Sequence, residues 1–499
     1  MKKLLTLLIL IIVFIFIYIF IKPNRQELQK SSTYHIGLLN PSTVTGIYPP
    51  KAIASNEIFL INLIYDRLFW VDTTDNLIPD LVKTYGHDST YSNWFIVIKK
   101  GRYFHLDGSP VTADIVAKSI EASMKYPSYG QVLLASLLKG ASNFLKGKTK
   151  HVAGLEVRGD TIFFHLNKPF RFLLYRLATT FYVPVWKPGS TSINPWTDRG
   201  SGPFKLLKRE PQTNSFVLVR DKNWNGKKFS NVDTLYIHFY SNLSLLLNDV
   251  KNGIIDIAYP EYSSINLLNK SNYMKKNYEI RFYPSVTIYL LFLNLNNPLI
   301  KSLNLRQKIE KSLDRREIVN YLGGGFPLCD PVPYKFQLDN SCNKSKLVKK
   351  FQVDKEIKLI NGGSDIERKI SNIVVNQLEQ HGFKIKYTAN TPDFLQKVIH
   401  GKYQIALTYY GPFISVPEPY LWLYLSTNIP VPNISRIKNQ RIDQLYMKYV
   451  ESGKNKYYQE ILKIIRKEIP VIPIVQSVEP VIKRQGVSVY VDGSVLPHF

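Results

Sequence analysis

Cysteine is nearly absent. Cys329 and Cys342 are the only two in 499 residues, which excludes a disulfide-built scaffold and a Cys-rich zinc site. If the chain is exported, the two could pair and staple the short loop Asp330–Ser341; two free thiols are the alternative. Acidic residues are scarce beside basic ones, 38 against 65, which gives a formal net charge of +27. That excess favours solubility and attraction to anionic surfaces. The lysines and arginines are dispersed, often in KK or KNK runs, and form no dense block. A solvated surface is therefore favoured over a nucleic-acid patch, with membrane headgroups between the two. Catalytic signatures are missing as well. There is no H-E-x-x-H, no G-x-S-x-G and no Walker pattern, and the nine histidines are scattered. Gly323-Gly324-Gly325 lacks the following Lys-Ser/Thr of a phosphate cradle. His105 and Asp107 have no nucleophile beside them, and a turn accounts for the Asp. No enzyme chemistry and no cofactor or metal are expected. Carboxylates distant in sequence could still meet in space, which the sequence does not reveal.

What is present suits a globular body. Hydrophobic residues make up 45% and charged residues 21%, and the length calls for two or three packed units. Leu4–Ile21 is apolar apart from Thr6 and Tyr18, after Lys2 and Lys3 and before Lys22-Pro23-Asn24-Arg25. At ~1.5 Å per residue such a helix just crosses a ~30 Å hydrocarbon core. No A-x-A-like site follows it. An uncleaved N-terminal membrane helix is therefore expected, with the body outside; a cleaved signal peptide is the alternative. No cysteine follows the run, which excludes lipoprotein processing.

The body reads as strands mixed with helices. Tyr34–Leu39 predicts a strand, and Asn56–Phe69 has apolar residues at helical spacing. Val157–Leu166 predicts a hairpin about Gly159-Asp160. Phe204–Lys208 and Phe216–Arg220 predict strands, and Val232–Tyr240 alternates so that Leu235, Ile237 and Phe239 share a buried face. Tyr289–Leu295 is a strongly apolar strand. Glu356–Ile360, Ser364–His381 and Lys384–Tyr387 follow a strand-helix-strand rhythm, a βαβ unit. Phe394–Ile399 predicts a helix and Tyr403–Tyr409 a strand. Tyr457–Glu468 is a last helix before Ile469-Pro470-Val471-Ile472-Pro473-Ile474.

Several blocks run in an order that belongs together. Gly200-Ser201-Gly202-Pro203-Phe204 precedes a strand pair and a turn bearing Trp224. Upstream are Pro79-Asp80-Leu81, the strand Trp94–Ile98 with Lys99-Lys100-Gly101, Phe104-His105-Leu106-Asp107-Gly108-Ser109-Pro110-Val111-Thr112-Ala113, and Lys168-Pro169-Phe170. Downstream are Gly253–Ala258, Asn294-Leu295-Asn296-Asn297-Pro298-Leu299 with Leu305-Arg306-Gln307, and Asp314-Arg315. Together they resemble extracytoplasmic solute-binding proteins of family 5, the peptide- and nickel-binding components of ABC importers, from Tyr34 to Asp492. In the Asn294–Arg315 block the family's usual Asp before the arginine helix is missing; Ser302 and Asn304 stand there.

The resemblance implies an α/β fold of the type II periplasmic-binding-protein kind: two lobes, an extra inserted domain, and a ligand cleft between the lobes. It implies an anchor over 1–22, a linker over 23–32, a discontinuous domain I (33–63, 195–284 and 475–499), an inserted domain II (64–194) and a domain III (285–474). It implies capture of an oligopeptide or similar small solute outside the cytoplasmic membrane, in the periplasm or on the membrane's outer face. Delivery to ABC permease subunits would follow, by a monomer that binds no nucleic acid. A tethered receptor without transport, or an enzyme with a dispersed site, would be the alternatives. Tyr409–Pro419 reads YYGPFISVPEP and resembles the family's W-x-A-D-Y-x-[DE]-P segment, with Glu418-Pro419 as its closing pair. Pro412 stands where the family has Trp, and Ser415 where peptide binders hold an Asp against the ligand's ammonium. Losing that charge-assisted bond is worth ~1.5–3 kcal/mol. By the same resemblance, Ile53, Ser55 and Glu57 face the cleft from domain I, Tyr129 from domain II, and Tyr409, Tyr410, Gly411, Phe413 and Ser415 from domain III. A Cys329–Cys342 bridge after export completes the expectations.

Overall fold

The central sheet combines strands that alternate apolar and polar residues, as Val232–Tyr240 does, with strands buried on both faces, as Ile288–Leu293 and Val471–Val478 are. Its strands are β1 (Ser32–Leu39), β2 (Phe204–Glu210), β3 (Ser215–Arg220), β4 (Val232–Tyr240), β5 (Ile257–Tyr259), β6 (Tyr278–Leu293), β7 (Glu356–Asn361), β8 (Lys384–Thr388), β9 (Ile405–Tyr410) and β10 (Val471–Arg484). They lie in the order β8-β7-β9-β6-β10-β5-β1-β4-β3-β2, and the short strand Phe326–Pro327 pairs with β10 off that path. The computed structural model describes residues 32–39, 44–190, 192–339, 351, 353, 355–414 and 416–499. The apolar run Leu4–Ile21, Ser415 and Cys342 lie outside them. Among the described residues no helix is long and apolar enough to cross a membrane.

On β4, Leu235 and Ile237 are fully buried and Phe239 nearly so, the face expected from the alternation. β4 pairs with β1 in parallel and with β3 antiparallel. The βαβ unit forms as its rhythm predicts: β7 and β8 pair in parallel across the helix Asp365–Gln380. Ser364 caps that helix, its hydroxyl accepting from the Glu367 amide at 3.3 Å, while the Glu367 carboxylate accepts from the Ser364 amide at 3.0 Å.

Two expectations are corrected. The helix expected over Asn56–Phe69 is shorter: α1 spans Ser55–Ile64, Tyr65 is extended at φ −114° and ψ 141°, and Phe69 begins the strand Phe69–Val71. The cause is the Gly200–Pro203 motif. The Gly202 amide donates to the Ile64 carbonyl at 2.9 Å. A Cβ on Gly202 would lie 2.6 Å from the Tyr65 carbonyl carbon, so the chain crosses the helix end at a distance only glycine allows. The strands expected at Tyr289 and Val471 are far longer, as β6 and β10. Both run through prolines: Pro284 stands opposite Val478, Pro480 opposite Phe282 and Pro473 opposite Leu290. A proline in a strand pattern reads as a break; here Pro284 and Pro473 stand at the register shifts between Pro284 and Ile288 and between Tyr289 and Leu290, while Pro480 sits in unbroken register.

A second sheet of four antiparallel strands, Val82–His87, Asn93–Ile98, Thr161–His165 and Leu155–Arg158 in that spatial order, stands apart from the first. Around it lie α2 (Ala113–Lys125), α3 (Tyr129–Leu134), α4 (Ala141–Leu145) and α5 (Leu173–Leu177). The Thr112 hydroxyl caps α2 by accepting from the Ile115 amide at 3.3 Å, and Asp107 accepts from the Ser109 amide in the turn before it. His105 is tied between Asp198 at 3.0 Å and the Gly202 carbonyl at 2.9 Å, a buried structural position.

The two bodies are joined by charge. The Arg176 guanidinium on α5 donates to Glu418 at 3.0 Å and to the Leu133 carbonyl at 2.5 Å, with both side chains of the ion pair buried. It lies between the rings of Phe170 and Trp422. Glu418 also accepts from the Trp422 indole at 2.7 Å and from the Tyr446 hydroxyl. Beside this, the Arg171 amide donates to the Val450 carbonyl at 2.9 Å. The C-terminus returns to the first helix: Asn62 donates to the Pro497 carbonyl at 2.8 Å, Arg67 pairs with Asp492 at 2.8 Å, and Phe499 is buried.

The Arg176→Met change strands the Glu418 carboxylate in the interior, so destabilisation of about 3–5 kcal/mol is expected by urea unfolding, with much of it recovered in the Arg176→Met/Glu418→Gln double variant. A second prediction concerns pH. His35 Nδ1 and His238 Nε2 lie 3.2 Å apart on neighbouring strands, and His238 Nδ1 meets the Ser215 hydroxyl. Burial holds both imidazoles below 6.5; the negative charge of Asp256 opposes this at His35, and Asp249 and Glu210 oppose it at His238, while Arg484 and the partner imidazole reinforce it. The unfolded chain thus binds more protons near pH 6. This stability contribution is present above pH 6.5 and falls as the pH drops below it. The pH dependence of the urea midpoint between 7.5 and 5.5 should flatten in a His35→Gln/His238→Gln variant.

Candidate functional site

The predicted ligand residues fall into two groups. Ile53, Ser55 and Glu57 stand at the N-terminal turn of α1. Ile53 is 68% exposed. Glu57 is buried, and its carboxylate accepts from the Thr45 amide and hydroxyl at 2.9 and 2.6 Å and from the Ile53 and Ala54 amides at 3.1 and 3.2 Å. Those bonds consume its acceptor capacity, so Glu57 fixes the loop that carries Ile53 rather than presenting charge to a solute.

The second group spans the two bodies. Tyr129 on α3 meets Phe413, just after β9, edge to face with ring centroids 4.6 Å apart. Phe181 packs against both, 6.1 Å from Tyr129 and 5.1 Å from Phe413. Tyr129–Phe413 and Phe181–Phe413 take the edge-on geometry that aromatic rings favour, while Tyr129 and Phe181 stack at 26°. Tyr129 remains 48% and Tyr409 55% exposed, so a wall of rings stays open to solvent where α3 meets the end of β9 and the segment that follows it. Tyr410 points the other way: its hydroxyl donates to the Pro419 carbonyl at 3.0 Å and its ring meets Tyr420. A Cβ on Gly411 would lie 2.8 Å from the Thr287 hydroxyl, which brings this backbone against the irregular stretch of β6. The Tyr420 hydroxyl donates to the Val286 carbonyl of that same stretch. The exposed Tyr409 side chain and the β6 irregularity are thus neighbours.

Sequence reasoning missed a set of carboxylates beside this wall. Burial raises Glu479 on β10, and the negative charge of Glu261 adds to it; Ser285 opposes the shift by a hydrogen bond. Burial likewise raises Glu261, with Asp365 adding and Ser263 and Lys369 opposing. Tyr289 feels Glu479, Glu367, Tyr262 and Tyr409 and is held well above 10 chiefly by burial. Tyr409 is raised by burial and then by Glu367 and Tyr129. Residues 261, 367 and 479 are too far apart in sequence to announce one another. Among the described residues no group of three or more His, Cys, Asp or Glu could hold a metal ion. Cys329 is buried and disulfide-bonded.

This arrangement can close apolar and aromatic surface around a small molecule, with polar groups at the strand irregularity and acids at one side. The profile of the bacterial extracellular solute-binding proteins, family 5 Middle, matches residues 76–430. The chain is 25% identical over 305 residues to the peptide transport periplasmic protein SapA of Haemophilus influenzae, a match covering 55% of this chain and 52% of that protein. It is 24% identical over 464 residues to the probable D,D-dipeptide-binding periplasmic protein DdpA of Escherichia coli, covering 84% and 83%. The fold matches the ABC-transporter-associated periplasmic binding protein DppA of Helicobacter pylori, solved with the peptide STSA, at a TM-score of 0.71 and 17% identity over 93% of this chain and 96% of that one. With the profile spanning well over half its length, the chain belongs to the bacterial extracellular solute-binding proteins of family 5.

Proposed function

We propose that the protein is the extracytoplasmic substrate-binding component of an ABC importer, taking up a peptide or a similar small solute between its lobes for delivery to permease subunits. The observation that carries the reading is the meeting of Tyr129 and Phe413 from opposite bodies beside the exposed Tyr409. Closure there would bury a solute against rings on both sides. The peptide class is supported by the names of SapA and DdpA and by the STSA complex of DppA. The division into domains I, II and III is taken as expected from the sequence, with β6 and β10 as the two connecting spans. The protein is no enzyme on this reading, so a hydrolase panel should find no turnover. The Leu4–Ile21 run would keep the body at the outer face of the cytoplasmic membrane, an arrangement that also suits a tethered receptor without transport. Co-purification of permease subunits would favour the importer.

Native mass spectrometry of the body from Asn24 onward should reveal a small co-purified mass, identified as a peptide after denaturation. Binding of that ligand should weaken about tenfold or more in Tyr129→Ala and Tyr409→Ala. An empty protein whose thermal stability no peptide shifts would overturn the peptide reading. The disulfide of Cys329 is proposed to be with Cys342. Alkylation under non-reducing conditions should label neither thiol, and labelling of both would refute the bridge.

A further inference from the structure

Behind the ring-bearing helix α3 lies a hollow of about 690 Å³, bounded by the end of α2, α3, α4 and the loop that follows α4. Its floor is the buried Phe144 ring, and Lys125 holds its ammonium 5.0 Å from that ring's centroid. Thr149, Lys150 and His151 line the opposite side, and Leu145 brings exposed apolar surface to the rim. Between Ala122 and Leu155 the chain has five lysines and no Asp or Glu. The two acids of α2 are already engaged. Glu121 accepts from the Val152 amide at 2.7 Å and meets His151 Nδ1 at 3.1 Å, and Asp114 pairs with Lys118 at 2.6 Å. The Thr149 hydroxyl donates to the His151 carbonyl at 2.9 Å, so two lysines over an apolar floor define the site, which is matched by a compact anion that carries an organic part.

We propose that this hollow binds a phosphate-bearing anion of the glycerophosphate kind, offered either as the headgroup of an anionic lipid or as a free phosphomonoester. The lysines supply point charges for the phosphate oxygens, and Phe144 with Leu145 receives the carbon skeleton. The site is separate from the solute position between the lobes and does not depend on what binds there. Because α3 carries Tyr129 on one side and lines the hollow through Gln131 on the other, occupancy would also brace the wall of rings.

The test uses the whole chain with two probes: glycerol 3-phosphate by calorimetry, and vesicles of phosphatidylglycerol in phosphatidylcholine by co-sedimentation against pure phosphatidylcholine. The chain should bind at least one probe. A Lys125→Gln/Lys150→Gln variant should lose about tenfold in affinity, whereas Lys384→Gln/Lys386→Gln, which removes the same charge from the exposed edge of β8, should stay within about twofold. Lys125→Arg, which keeps the charge, should also bind, and unchanged urea midpoints exclude unfolding as the cause. Binding to vesicles alone would identify the lipid source, and binding to glycerol 3-phosphate the free one. Equal losses in both double variants would reduce the effect to net charge and overturn the site, as would no binding to either probe.

Discussion

The antiparallel ladder between β6 and β10 is the constraint on which the rest of the molecule depends. It runs from the Tyr278–Arg484 pair to the Phe292–Val471 pair, at ~3.3 Å per residue a span of tens of ångströms. One end lies beside β5 and β1, the other beside β9 and β7. A single hydrogen-bonded sheet thus passes through both halves of the body, and the halves can change their relation only where that ladder is imperfect. The imperfections are local. Register shifts flank Pro284 to Leu290. There Gln476 donates to the Ser285 carbonyl at 2.6 Å and Ser477 to the Thr287 carbonyl at 3.2 Å, side chains doing what backbone groups do elsewhere in the sheet.

The candidate site sits where this irregularity meets the ring wall. Gly411 lies against Thr287, and Tyr420 reaches the Val286 carbonyl. The segment after β9 is fixed from the other direction by Glu418, whose carboxylate collects Arg176, Trp422 and Tyr446. A buried ion pair is weak evidence for stability, but it fixes geometry: Glu418 sets where the segment turns, and with it where Phe413 meets Tyr129.

Much of the fold was legible because its signals are local. The alternation in Val232–Tyr240, the strand-helix-strand rhythm of Glu356–Tyr387 and the turn at Asp107-Gly108 each follow from a few neighbouring residues, and the structure bears each out. The end of α1 was not legible, because what halts the helix is the approach of Gly200 and Gly202 from well over a hundred residues away. The true lengths of β6 and β10 were hidden by their prolines, of which Pro284 and Pro473 stand where the register shifts. Within the site, Tyr129 and Phe413 do come together, whereas Glu57 and Tyr410 turn to internal bonds. The acids at 261 and 479 had no sequence signal, since only the fold brings them near each other.

The sheet also sets a schedule for the protein's birth. β1, near the start of the chain, is flanked by β4 and β5, and β5 in turn waits for Ile482 and Lys483 of β10. Asn62 and Arg67 wait longer still, for Pro497 and Asp492. The earliest residues therefore cannot complete their bonding until the last have arrived. The four-stranded unit of residues 82–165 has no such debt, since its pairings close within its own stretch. A growing chain would carry this unit finished while the main sheet stood open beside it, its strand edges unpaired. The main sheet thus stays open until Ile482 and Lys483 are made, and the first helix until Asp492 and Pro497 are.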